Sequence, residues 1–259
     1  MLISARDRGY LLGDGIFETI LCYHNKVIAW DSHWHRLQKS ALWYDLDMVY
    51  AKEEVLSVIM ELMSKTPQAW AVVRLTLTRA NSGRGLNYEN SKSNLLITLE
   101  GHEFKDRSVV KLTWAAEARS AGGKEWSHKA LQMAPMVRWR NIVRQKGFDD
   151  AIVYDLEGRV LETTAANIFI LKDDVLCTPP LQGSVLPGTT RAEFISFAQS
   201  EGIKVVEKFL TREELDDSCE VFVCNAVNLI SVVELIDEQS LQKKRISNWQ
   251  KEFNKWLFA

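Results

Sequence analysis

Glu162, inside the run Val160-Leu161-Glu162-Thr163, and the segment Gly183-Ser184-Val185-Leu186-Pro187-Gly188-Thr189-Thr190-Arg191 are the residues whose types and spacing could do chemistry. The first puts a carboxylate on a strand. The second is a glycine-bounded loop that opens a helix, where several amide N–H groups meet the positive end of the helix dipole and can hold an anion. Together they are two parts of what a phosphorylated, nitrogen-bearing ring would need. Each also has a plainer reading. Thr capping is the ordinary start of a helix, and a strand-edge carboxylate can simply face water or pair with an arginine. Elements elsewhere in the chain have to separate these readings.

The chain has 259 residues, enough for one large domain or two modest ones with an ample core. A formal charge of −2 excludes a strong field for nucleic acid or anionic lipid, though small cationic sites remain possible. Apolar stretches are broken by charge before they reach the length of a membrane span, and Met1 begins no basic-then-apolar leader pattern. The expectation is a soluble cytoplasmic protein with neither membrane nor nucleic acid as a partner. Cys22, Cys177, Cys219 and Cys224 lack the paired spacing of a zinc site and read as small buried residues in a reducing environment.

Residues 16–23 and 26–30 form a predicted hairpin around His24-Asn25, because β-branched and aromatic residues flank a short polar turn. Asp31 or Ser32 then offers a cap for a helix to about Tyr44, and 51–64 has apolar residues at a helical period. Strands are predicted at 70–78, 94–99 and 109–114. Between about 117 and 128 the composition turns to Ser, Gly, Ala and Lys, with Ala121-Gly122-Gly123, which reads as a flexible connector. Beyond it the pattern predicts helices at 137–146, 189–200 and 246–258, and strands at 151–154, 167–171, 204–207 and 221–224. This is an α+β chain of two units, 1–117 and 129–259, joined by 118–128, and a cleft between such units is a usual place for a ligand.

In order along the chain stand Asp7-Arg8-Gly9, Gly13-Asp14-Gly15-Ile16-Phe17-Glu18-Thr19, His35-Arg36-Leu37, Lys129, Glu162 with Asn167-Ile168-Phe169, and Leu186 to Arg191. With these elements the chain resembles the class IV pyridoxal-phosphate aminotransferase family, which includes branched-chain and D-amino-acid aminotransferases and aminodeoxychorismate lyase. The resemblance covers nearly the whole length. It implies the fold-type IV (D-amino-acid aminotransferase-like) architecture, with a small N-terminal and a larger C-terminal domain, pyridoxal 5'-phosphate as cofactor, a small amino substrate and a homodimer.

Carried over residue by residue, the resemblance makes Lys129 the catalytic lysine that bonds to the cofactor and moves a proton at the reacting carbon. Lys124 and Lys146 stand nearby, but the family places its lysine at the distance of Lys129 from the strand beginning at Asp150-Ala151. The amine would have to be deprotonated, which burial or a neighbouring cation favours. Glu162 would face the pyridine nitrogen and keep it protonated. Arg36 would hold the phosphate, aided by the backbone amides of Thr189 and Thr190. Without the resemblance, Arg36 reads equally as an exposed helix arginine. His33 and His35, two apart on a helix, face different sides and suggest no metal pair.

Departures from the subgroups bear on the reaction. Branched-chain aminotransferases usually carry a Tyr five residues after the lysine, where this chain has Ala134, and a Thr where it reads Cys224-Asn225-Ala226. D-amino-acid aminotransferases pair an Arg with a His two positions on, where Arg84 is followed by Leu86, and carry a Tyr at the position of Phe17. The run from Arg79 to Gly85, and Asn225-Ala226 on the cofactor side, resemble the lyase most. The implied reaction converts 4-amino-4-deoxychorismate to 4-aminobenzoate and pyruvate in folate biosynthesis. Its substrate has two carboxylates, for which Arg84 is the first candidate, followed by Arg138 and Arg140, with Phe17 also at the substrate. An aminotransferase acting on branched-chain or D-amino acids, and a catalytically silent cofactor-binding homologue, are the alternatives.

Overall fold

Alternation governs the first half of the chain. In the computed structural model, which describes residues 3–88, 92–105, 108–120, 122–182, 184–218 and 220–258, it yields a four-stranded antiparallel sheet. Met1, Ala121, Gly183 and Cys219, used in the sequence reading, lie outside the described residues. Contacts divide the chain into two units: Met1–Phe104 with His128–Gln132, and Lys105–Ser127 with Met133–Ala259.

The first unit opens with a short helix, α1 (Arg8–Leu12). Asp7 caps it by accepting from the amides of Gly9 and Tyr10, and Gly13 ends it in the left-handed region that glycine adopts without strain. Then come β1 (Gly15–Tyr23), β2 (Lys26–Val27), α2 (Trp30–Trp43), α3 (Lys52–Ser64), β3 (Trp70–Thr78) and β4 (Asn94–Gly101). The strand order is β2-β1-β3-β4, with β1 paired to β3 from Gly15 opposite Thr78 to Tyr23 opposite Trp70. One face of the sheet is apolar. Ile16, Ile20 and Cys22 of β1 and Val73, Leu75 and Leu77 of β3 pack with Trp34, Leu37 and Ala41 of α2 and Val55, Ile59 and Met63 of α3.

The hairpin and α2 depart from the sequence reading at their junction. The second strand stops at Val27, and the helix starts at Trp30 rather than after Asp31 or Ser32. Ala29 is the N-cap, held at φ 50°, and this reversal turns Trp30 into the core while Asp31 sits exposed on the first turn, 2.5 Å from Lys52.

In the second unit β5 (Ser108–Trp114) is followed by a 3-10 turn (Lys124–Ser127), α4 (Ala134–Arg144), β6 (Asp150–Tyr154), β7 (Val160–Thr163), β8 (Asn167–Lys172) and β9 (Val175–Thr178). After these come α5 (Thr189–Ser200), β10 (Lys204–Glu207), α6 (Arg212–Asp216), β11 (Glu220–Asn225), β12 (Leu229–Ile236), β13 (Gln239–Ser240) and α7 (Lys244–Phe258). Nine strands form a mixed sheet in the order β10-β9-β8-β11-β12-β5-β6-β7, with β13 beside β12. β5 belongs to this sheet because it pairs in parallel with both β12 and β6. The sequence reading had placed it in the first unit.

An aromatic cluster anchors α5. Phe169 stacks on Phe222 at 4.7 Å, Phe194 lies 4.8 Å from Phe222, and Phe253 of α7 lies 5.3 Å from Phe194. Phe169, Phe194, Phe222 and Phe253 are fully buried, so the helix axis is fixed by rings of which each buries roughly 150–250 Å². Among the described residues no helix is long and apolar enough to cross a membrane. Cys22, Cys177 and Cys224 are free and buried, and burial pushes the Cys22 and Cys224 thiols up to about 12.

The strain at Ala29 has a measurable consequence. A left-handed conformation costs an ordinary L-residue roughly 1–2 kcal/mol, a cost glycine largely escapes. Ala29→Gly is therefore expected to stabilise the protein by about 0.5–1 kcal/mol. A lower melting temperature for the variant in thermal denaturation would show that the junction is not strained.

Candidate active site

β1 presents chemistry on both faces. Its inward positions run Ile16, Glu18, Ile20 and Cys22, so a carboxylate occupies a core position, buried to 1% exposure. An isolated charge there would be very costly, so it must be paired. α2, packed against that face, supplies the partners. Arg36 donates through Nε to Glu18 Oε1 at 2.8 Å and through Nη2 to Oε2 at 2.6 Å. His33, one turn earlier, meets Oε2 through Nδ1 at 2.7 Å. A carboxylate only accepts, so Nδ1 carries the hydrogen.

Burial pushes the Glu18 carboxyl up, but the Arg36 charge and its hydrogen bonds, with those of His33, outweigh it and hold the group at about 2. Burial pushes the His33 imidazole down against the pull of Glu18, and the charges of Arg36 and Lys129 push the same way as burial. The cluster is thus a carboxylate, a guanidinium and a neutral imidazole.

At the next position of β1, Phe17 has two basic side chains against its ring. The Lys129 segment runs beside the strand, with the Phe17 amide donating to the Lys129 carbonyl at 2.8 Å and Ile16 bridged to Ala130. This pairing is why Lys129 lies in the first unit, whereas the sequence reading assigned it to the second. Lys129 Nζ stands 4.5 Å from the Phe17 ring centroid, and Arg74 Cζ of β3 stands 3.8 Å from the same ring.

The second unit carries the acid and the helix start. Glu162 is buried on β7, with Arg119 Nη1 donating to Oε1 at 2.9 Å and the Leu186 amide donating to Oε2 at 3.1 Å. Arg119 also donates to the Ser184 carbonyl and lies over the Trp126 ring, with its centroid 4.5 Å from Cζ. Asn167 Nδ2 donates to the Leu186 carbonyl at 2.9 Å. Strand, connector and loop are thereby tied to one carboxylate. The connector at Arg119 is buried and bridged to Asp155, which a Ser/Gly/Ala-rich composition had suggested would be flexible.

The loop leads into α5, whose first residues Thr189 and Thr190 are buried and whose N-cap is Gly188, with no side-chain cap. A Cβ on Gly188 would lie 2.0 Å from Asn167 Oδ1. Only glycine leaves Asn167 in place and the helix start uncovered, which suits an anion.

The remaining candidates stand on a turn, a loop and a helix. Asn225 Oδ1 accepts from the amides of Val227 and Asn228 at 3.0 and 2.9 Å, closing the turn from β11 to β12 in which Ala226 sits. Arg84 is exposed on the loop after β3, a loop held by Arg8 through the carbonyls of Gly85 and Asn87. Arg138 is exposed on α4 and paired with Glu117 at 2.8 Å, and Arg140 is half-buried on the same helix. Glu18, His33, Arg74 and Arg119 carry no site role in the sequence reading. Glu18 alone left a trace, as a charge at an inward position of an alternating strand.

The match of residues 15–236 to the family profile described as amino-transferase class IV decides the family. The chain belongs to the class IV aminotransferases. It is 30% identical over 253 residues to a protein of Methanocaldococcus jannaschii provisionally named a branched-chain-amino-acid aminotransferase, covering 96% of this chain and 88% of that one. It is 26% identical over 243 residues to the D-alanine aminotransferase of Bacillus licheniformis, covering 92% and 84%. A Legionella pneumophila structure provisionally named a 4-amino-4-deoxychorismate lyase superposes with a TM-score of 0.93 at 24% identity, covering 99% and 95%.

The fold is that of the fold-type IV enzymes, and the cofactor of the class is pyridoxal 5'-phosphate. Within each unit stand groups whose chemistry suits such a cofactor. The first has an amine, Lys129, and a guanidinium, Arg36. The second, by itself, has a held carboxylate, Glu162, with a helix start that has no side-chain cap.

Two outcomes follow from this geometry. Gly188→Ala overpacks the Asn167 contact, is expected to destabilise by about 1–3 kcal/mol, and should weaken retention of pyridoxal phosphate by gel-filtered protein. Unchanged cofactor content would mean that the close approach is dispensable. Glu18 has a folded value of about 2 against an ordinary 4.5, so its stabilisation is present above 4.5 and lost as pH falls towards 2. The urea midpoint of the native chain should fall across that window, and that of Glu18→Gln should fall less.

Proposed function

We propose that this protein is a pyridoxal-phosphate-dependent lyase that converts 4-amino-4-deoxychorismate to 4-aminobenzoate and pyruvate. The observation that carries the reading is the pair of basic groups on Phe17: an amine that can move a proton, Lys129, and a guanidinium that can hold a carboxylate, Arg74. Arg74 takes precedence over Arg84, Arg138 and Arg140 for one carboxylate of the substrate. Arg84, exposed on the loop after β3, is the candidate for the other. Arg138 is the weakest of the set because Glu117 already neutralises it.

In this reading Arg36 and the amides of Thr189 and Thr190 hold the cofactor phosphate, and Glu162 faces the pyridine nitrogen. Asn225 and Ala226, in the turn from β11 to β12, complete the cofactor side. Bound pyridoxal phosphate supplies an electron sink for the reacting carbon. Lys129 takes the proton from the ring carbon that bears the substrate amine. The neighbouring C–O bond breaks, its electron pair leaves with enolpyruvate, which takes up a proton to become pyruvate, and the six-membered ring becomes aromatic. Arg74 keeps the substrate oriented so that the proton faces the Lys129 amine.

Two features favour the lyase over transamination. Ala134 opens α4 at the position where the resemblance puts a Tyr in branched-chain aminotransferases, and the Asn225 side chain is committed to closing its own turn. The second reading, an aminotransferase acting on branched-chain or D-amino acids, is favoured by the names of the relatives at 30% and 26% identity. A homodimer is part of either reading, supported by the exposed Tyr10, Leu11 and Leu12 of α1.

Incubation of the purified protein with 4-amino-4-deoxychorismate should release 4-aminobenzoate and pyruvate without any keto-acid acceptor. Activity that appears only with an acceptor, on D-alanine or a branched-chain amino acid, would replace the lyase by the aminotransferase. Lys129→Ala is expected to lower turnover by about 10³-fold or more. Borohydride reduction of the native protein should fix the cofactor mass on the peptide containing Lys129, and its recovery on another lysine would overturn that assignment.

A further inference from the structure

We propose that Glu18 is a positioning residue that sets the plane of the Arg36 guanidinium for the cofactor's phosphate, with His33 locking Glu18 in turn. The proposal rests on reading Arg36 as the phosphate ligand. An arginine on α2 has a long, rotamer-rich side chain, and phosphate recognition by guanidinium depends on the direction of its N–H fork as well as on charge. Here one edge of the fork, Nε and Nη2, is engaged by both oxygens of a single carboxylate at 2.8 and 2.6 Å. An arginine carries five N–H groups, and the carboxylate engages one edge of that fork and so fixes the direction of the whole plane.

Glu18 is itself immobile. It sits on the central pairing of β1 with β3, opposite Leu75, buried between Ile16 and Ile20. The oxygen that receives Arg36 Nη2 also receives His33 Nδ1 at 2.7 Å. His33 and Arg36 lie three apart on α2, one helical turn, so both donors reach the same strand position from one helix face. Nothing in strand or helix formation asks for a charge at position 18, where an apolar residue would pack with the core. In this proposal the buried ionic cluster is retained, in place of apolar residues, because it fixes the geometry of Arg36.

The test compares two ligands that differ only in the group Arg36 would bind. The full-length chain is titrated with pyridoxal 5'-phosphate and, separately, with pyridoxal, following tryptophan fluorescence. Glu18→Gln lacks the second acceptor oxygen and the charge. Glu18→Asp keeps the charge but withdraws it by one methylene, and carries the test if the Gln variant does not fold. The double variant Glu18→Gln with Arg36→Met removes both charges together, so that none is left buried alone.

The expected result is that Glu18→Gln and Glu18→Asp weaken pyridoxal phosphate about tenfold and leave pyridoxal within about twofold, the loss expected for one charge-assisted hydrogen-bonded contact. If both ligands weaken equally, Glu18 serves only the fold and the proposal is overturned. If the double variant loses the preference for the phosphorylated ligand while Glu18→Gln and Glu18→Asp retain it, Arg36 stands as the phosphate ligand without needing Glu18. If the double variant keeps the preference, the reading of Arg36 itself fails, and the proposal with it.

Discussion

Placing a carboxylate at position 18 of an otherwise apolar strand face dictates much of the first unit. A charge in that core is tolerated only with opposite charge and hydrogen bonds at both oxygens. This requires α2 to present His33 and Arg36 to the same point of the sheet. That requirement in turn sets where the helix begins. The left-handed Ala29 turns the chain so that Trp30, Trp34, Leu37 and Ala41 face the core while His33 and Arg36 face Glu18. The other face of β1 is then available for Phe17, where Arg74 and Lys129 gather. Successive side chains of one strand thus serve two groups, Glu18 the ionic cluster with α2 and Phe17 the pair of basic side chains.

Much of this was legible in the sequence. The strands at 70–78 and 204–207 and the helix at 189–200 have the bounds read from the sequence, the strand 70–78 through its alternation and the helix through the Gly188-Thr189-Thr190 start. Strand β12 did not announce itself. Its residues Leu229–Ile236 are apolar nearly throughout, so the alternation that marks a half-buried strand is missing. β5 was visible as a strand but not as a member of the second unit, since its partners β12 and β6 are about 120 and 40 residues away in sequence and only parallel pairing reveals them.

The site followed the same division. Lys129, Glu162 and Arg36 were nominated by the resemblance, whereas their neighbours in the structure were not. Arg74 is one exposed charge in an alternating strand, and exposed arginines are the commonest kind. Arg119 lies in a Ser/Gly/Ala-rich stretch, the composition of a linker. What composition cannot convey is that a residue in such a stretch inserts its guanidinium beside Glu162 and the Ser184 carbonyl. Long-range pairing of this sort, 43 and 65 residues apart, leaves no local period.

The second unit answers the problem of the first with the roles reversed. There the charged strand position, Glu162, carries the candidate chemistry, and the arginine is the support. Arg119 occupies one oxygen and the Leu186 amide the other, so the carboxylate is oriented from two sides by groups of different origin, a side chain from the connector and a backbone amide from the loop. The same loop continues into Gly188 and the start of α5, whose axis is fixed by the buried phenylalanines at the far side of the helix. A displacement of Glu162 would therefore be transmitted through Leu186 and Asn167 to the helix start, and the acid and the amides of that start keep their spacing because they share these few contacts. The rigidity that a binding site of the proposed kind needs would come here from hydrogen bonds to backbone, which hold distance and direction together, rather than from packing alone.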